Sequence, residues 1–91
     1  MITKDYAVIF TYNFDPDSEI FLFNDYDTAK NFLKESFERE VNVEEVENGW
    51  EIDSWHNDEW TWATIRHWVN DGHDDCEYRL CTHVERKSNE I

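Results

Sequence analysis

The sequence predicts an α+β domain, one antiparallel sheet with a single helix packed on one face, in the order β-β-α-β-β-β. Three observations predict it. Five short segments alternate apolar and polar residues with period two, one segment carries an apolar stripe of period 3.6, and short turn signals join the strands on either side of it. At 91 residues the chain has the length of one domain with one core, so 1–91 is read as a single domain with a polar tail over 85–91.

The first strand is DYAVIFTYNF at 5–14, where Tyr6, Val8, Phe10, Tyr12 and Phe14 alternate with Ala7, Ile9, Thr11 and Asn13. DPDS at 15–18 supplies turn chemistry, because Pro16 fixes φ and the flanking Asp side chains bond local N–H groups. EIFLF at 19–23 returns as the second strand. Asp25 is a candidate N-cap, and Ala29, Phe32, Leu33, Ser36 and Phe37 then form one stripe of a helix over 26–40. VNVEEVENG at 41–49 reads as an acidic connector ending in the Asn48-Gly49 turn signal. WEIDSW at 50–55 is the third strand, 56–59 a loop, 60–69 the fourth strand, Asp71-Gly72 a hairpin turn, and DCEYRLCTHV at 75–84 the fifth strand.

Loop lengths assign the faces. A two-residue turn at Asp71-Gly72 puts His67 opposite Cys76, Ile65 opposite Tyr78 and Ala63 opposite Leu80; a four-residue loop pairs Trp55 with Trp60. One face then carries Trp50, Ile52, Ala63, Ile65, Val69, Cys76, Tyr78, Leu80 and Val84 and fits under the helix. The other carries Glu51, Asp53, Trp55, Trp60, Trp62, Arg66, Trp68, Glu77, Arg79, Cys81 and His83, with an Arg66–Glu77 pair across strands. Trp55, Trp60 and Trp62 therefore cluster on the open face beside Asp53, with Glu51, Asp58 and Glu59 around them. Such indoles can lie flat and shield the sheet, form a homodimer contact, or anchor a different protein.

Charge narrows the partners. Against 22 acidic side chains stand 8 basic ones, a formal charge of −14, which disfavours direct contact with nucleic acid or an anionic membrane and favours a basic protein surface. Eight of the acids fall between Glu40 and Ile65 with no Lys or Arg among them, and Asp71, Asp74, Asp75 and Glu77 form a second group. Residues such as Glu51 and Asp53, two apart on a strand, repeat at about 6.6 Å, comparable with successive phosphates. No segment has the apolar length of a membrane span, and the N-terminus lacks the features of a signal peptide, so a cytoplasmic location is expected.

No catalytic residue, metal ligand or cofactor is expected. His56, His67, His73, His83, Cys76 and Cys81 do not converge, because Cys76 and Cys81 point to opposite faces about 16 Å apart, which also excludes a disulfide between them. DPDSEIFLFND at 15–25 lacks the glycine and terminal Glu of a calcium loop. His67 with Cys76 would face the helix, and Gly49 and Gly72 are the only glycines, too few for a phosphate-binding loop.

In size, acidity, aromatic content and lack of a catalytic motif, the chain resembles the small acidic inhibitors of phages and mobile elements, of anti-CRISPR and anti-restriction type. The resemblance is one of overall profile and transfers no residue role. It implies an inhibitor that occupies the basic surface of a nucleic-acid-binding protein or nuclease, as a DNA mimic does; the alternative is a homodimeric structural or regulatory protein.

Overall fold

A hairpin of β1 (Ile2–Tyr12) and β2 (Glu19–Phe23) leads into α1 (Tyr26–Val41), and β3 (Ile52–His56), β4 (Trp62–Val69) and β5 (Gly72–Lys87) follow as a meander. The computed structural model describes the backbone of residues 2–87 and the side chains of residues 5–82. All five strands form one antiparallel sheet in the order β2-β1-β5-β4-β3, so the α+β class and the β-β-α-β-β-β order hold. β5 continues to Lys87, past the point where the polar tail was expected to begin; the side chains of His83 and Val84 and tail residues 88–91 lie outside the described residues.

Strand order explains why one face is covered and the other is not. The first and last strands pair at the centre of the sheet, leaving β2 and β3 as its two edges. The chain must cross from one edge to the other between them, and α1 makes that crossing over one face only. Asp25 starts the helix as predicted: its Oδ2 accepts from the Thr28 N–H at 2.8 Å and from the Thr28 hydroxyl at 2.9 Å. Those bonds hold the Asp25 carboxyl below the usual carboxylate range.

Ala29, Leu33 and Phe37 are the buried stripe of α1, packed on Val8, Phe10, Ala63, Ile65, Tyr78 and Leu80. Phe32 fills the flank between the first hairpin and the helix, with its ring 4.9 Å from Phe21, 5.1 Å from Phe23 and 5.9 Å from Phe10. Phe37 meets Tyr78 edge to face at 6.0 Å.

Past Val41 the helix loosens into a π-helical turn, Asn42–Glu47, where the sequence suggested only a connector. Its end is marked by the Asn48 N–H donating to the Val43 carbonyl at 2.9 Å, and the Trp50 N–H then reaches the Glu44 carbonyl at 2.8 Å. Gly49, at φ 68°, supplies the left-handed residue that redirects the chain toward β3. The turn places Glu44 inside rather than in solvent.

One meander turn is shifted by a residue and the other loop is longer than expected, yet the faces survive. The β4–β5 turn is Asn70-Asp71, not Asp71-Gly72, so Ala63 faces Tyr78, Ile65 faces Cys76 and His67 faces Asp74. The β3–β4 loop spans 57–61, so Ile52 faces His67 and Trp55 faces Thr64. Each error displaces the register by an even number of positions, which exchanges partners without turning a side chain over. The Arg66 partner is one casualty: it faces Asp75, and Glu77 pairs with Arg79 instead.

Candidate interaction face

The open face is built from alternate residues of all five strands. Registers align Leu22, Ala7 and Cys81 in one row and Ile20, Ile9, Arg79 and Trp62 in the next. Thr11, Glu77, Thr64 and Trp55 form a third row, and Asp75, Arg66 and Asp53 a fourth, with His73 and Trp68 paired beyond it. Ile20, Leu22, Trp55 and Trp68 are exposed here.

The structure brings together two of the three indoles expected on this face and removes one. Trp55 and Trp62 lie 6.4 Å apart between ring centroids. Trp60 belongs to the other side of the sheet: it stacks on His56 at 3.7 Å, meets Phe37 edge to face at 5.6 Å, and carries the Lys34 ammonium 5.5 Å from its ring. The cause is local. Trp60 sits in the loop at φ 58°, the only positive φ among the described non-glycine residues, so the parity that would put it beside Trp62 does not extend to it. Asn57 holds that loop shape, its Oδ1 accepting from the Thr61 N–H at 2.9 Å and the Trp62 N–H at 3.1 Å while its Nδ2 donates to the Thr61 hydroxyl at 2.7 Å.

Trp68 takes the vacated place in the cluster. Arg66 lies between two indoles, its guanidinium carbon 5.6 Å from the Trp55 ring and 5.5 Å from the Trp68 ring. Its Nε and Nη2 donate to both oxygens of Asp75 at 3.0 and 3.1 Å. That fork holds Asp75 below the usual carboxylate range and raises the guanidinium further. Asp53 accepts from the Trp68 indole N–H at 2.8 Å, and His73 meets Asp75 at 2.8 Å. Asp53 thus positions an indole rather than standing free among the acids around the cluster.

Glu51 is exposed just before β3, and its carbonyl accepts from the Trp68 N–H at 3.1 Å. Asp58 and Glu59 are exposed in the β3–β4 loop. The middle of the face is close to neutral, with Asp53, Asp75 and Glu77 opposed by Arg66 and Arg79. The acids gather at its ends: Asp58 and Glu59 in one loop, Asp15, Asp17 and Asp71 in the turns at the opposite end. Asn13 ties those last two turns together through the Asp75 N–H at 2.8 Å and the His73 carbonyl at 3.1 Å.

Cys76 and Cys81 are free and lie on opposite faces. Cys76 faces the helix side, where burial pushes its thiol up to about 12, whereas Cys81 stands in the open row beside Ala7. Cys81 is expected to react with a thiol reagent at pH 8 at least tenfold faster than Cys76, read by mass of the labelled peptides. Equal rates in the folded protein would contradict the face assignment.

No helix of the described residues is long and apolar enough to cross a membrane. Against protein-family models, curated proteins and solved structures, the chain shows no match.

Proposed function

We propose that this protein is an acidic, non-catalytic interaction module whose open sheet face docks on a basic protein surface, that of a nucleic-acid-binding protein or nuclease, and inhibits it. The observation that carries the reading is the composition of that face. A nearly neutral aromatic and aliphatic centre, flanked at both ends by acidic turns, has the anatomy of a docking patch with a charged rim. A basic partner fits the rim and the overall charge of −14, while a second copy of the chain would bring the same charge against it.

Trp55 and Trp62 are the anchors in this reading, with Trp68 and Arg66 holding Trp55 in place. Trp60 contributes nothing to the patch. Asp58 and Glu59 steer the partner, and Asp53 is left out of the steering set because it bonds Trp68. In surface plasmon resonance with a candidate basic partner, Trp55→Ala with Trp62→Ala is expected to raise the dissociation rate at least tenfold. Asp58→Lys with Glu59→Lys is expected to lower the association rate and flatten its salt dependence. Nucleic acid should compete for the partner. An affinity indifferent to both pairs of changes, with the variants folded, refutes the reading; a dimer that strengthens with salt in analytical ultracentrifugation and is lost in the tryptophan variant favours the homodimer instead.

A further inference from the structure

Between α1 and the sheet, the helix face holds a cavity of about 610 Å³. The molecule is 50 Å long, and a helix of 16 residues spans only about 24 Å, so α1 covers part of the face and leaves the rest as a concavity. The cavity lies under the C-terminal half of α1 and the π-helical turn, toward the sheet end that carries the β4–β5 turn. Its volume falls in the range of small-molecule sites, roughly 300–1,000 Å³.

Aromatic rings make much of its wall, among them Phe10, Phe32, Tyr78 and Trp50. Trp50 is fixed by stacking on His67, with centroids 4.5 Å apart and planes 8° from parallel. Among the rings stand the carboxyls of Glu19, Glu40, Glu44 and Asp74, opposed by the single guanidinium of Arg39.

Glu44 is what turns this void into a site. It is only 8 % exposed, it lines the cavity, and none of the ion pairs among the described residues includes it. The group it meets is the carboxyl of Glu40, and burial together with that contact pushes Glu44 up to about 7. A buried carboxyl that meets another carboxyl at the wall of a ring-lined void is complementary to a cation. The acids supply the charge, and the rings supply cation–π attraction and apolar area for a stem. An inorganic ion is a poorer fit, since it requires converging oxygen ligands and no group of three or more His, Cys, Asp or Glu among the described residues could hold one.

We propose that the cavity binds an organic cation, a guanidinium or ammonium group on a hydrocarbon stem, between the Trp50 indole and the Glu40–Glu44 carboxyl pair. The site lies on the helix face and stands independently of the docking face described above. Its ligand is either a free small cation or the Arg or Lys side chain of a protein.

Titration of the wild-type protein with n-butylguanidinium at pH 8, followed on the five indole N–H resonances in ¹⁵N NMR, tests it. A saturable shift confined to Trp50 is expected, absent with the neutral isostere n-butylurea and weakened at least tenfold in Glu44→Gln. Trp50→Ala, followed on the backbone resonances around Glu40, should weaken binding to a similar degree. A blocked Gly-Arg-Gly peptide that binds as tightly as the free cation identifies a protein side chain as the source; its exclusion, with butylguanidinium still bound, identifies a small molecule. No saturable shift, an equal response to the urea, a response at Trp55, Trp62 and Trp68 alone, or an affinity unchanged in a folded Glu44→Gln would each overturn the proposal.

Discussion

Leu33→Ala is expected to cost about 3 kcal/mol of folding stability and to lower Tm by roughly 15 °C, read as a reduced urea midpoint at unchanged slope. Leu33 is 0 % exposed, midway along the buried stripe of α1, with Ala29 and Phe37 a turn to either side and Ile65 and Val8 among the residues of the same core. Removing its branched end from so enclosed a place forfeits both the transfer free energy and the contacts that collapse would have to restore. The comparison that gives the number meaning is Val46→Ala in the π-helical turn, where the side chain is 69 % exposed and the loss should stay within about 0.5 kcal/mol. Similar small losses at both positions would mean that α1 is not docked on this face.

That outcome bears on how the fold was legible. The helix stripe from Ala29 to Phe37 and the period-two strands were set by local patterns, and each pattern is repeated often enough that errors at its ends do little harm. One turn position and one loop length in the meander differ from expectation, but both displace the register by an even number of positions, so the apolar set at Ala63, Ile65, Cys76 and Tyr78 stays under the helix. Trp60 departs from the pattern. Periodicity extends only as far as the extended backbone does, and a single residue at φ 58° sends that indole to the opposite side of the sheet from Trp62.

The open face was legible as a collection of residues and not as an arrangement. Trp55, Trp62 and Asp53 lie on it as expected, whereas the stacking of Arg66 between Trp55 and Trp68 depends on which residues sit opposite one another, and the four-residue displacement between β3 and β4 hid it. The cavity was not legible at all, because it arises from the ratio of helix length to sheet length and from the direction of the crossing. One signal did exist. Glu40 and Glu44 are four apart, a like-charged pair that a continuing helix would bring together at a cost.

Glu44→Gln is therefore expected to stabilise the protein, by on the order of 1–2 kcal/mol at pH 8 once solvent entering the cavity is allowed for, and by little at pH 4.5. Burial and the neighbouring Glu40 carboxyl raise Glu44 from an ordinary 4.5 to about 7 in the folded chain. Below the ordinary value the carboxyl is protonated in both folded and unfolded chains and costs nothing. As pH rises from 4.5 toward 7 the unfolded chain ionises while the folded one keeps its proton, so stability falls; above that range both are ionised and the loss is constant. Asp25 and Asp75 act in the opposite sense, since their lowered values give stability that is present at neutral pH and is lost on acidification. Wild-type stability should accordingly be greatest near pH 5, and subtracting the Gln variant across a pH series of urea midpoints isolates the contribution of Glu44. A difference that grows from pH 4.5 toward 7 and then levels off marks a carboxyl held against its own solvation, the condition in which an incoming cation gains most by meeting it. A difference flat with pH would mean that Glu44 is ionised and satisfied throughout, and the cavity beside it would then be only a gap that α1 is too short to close.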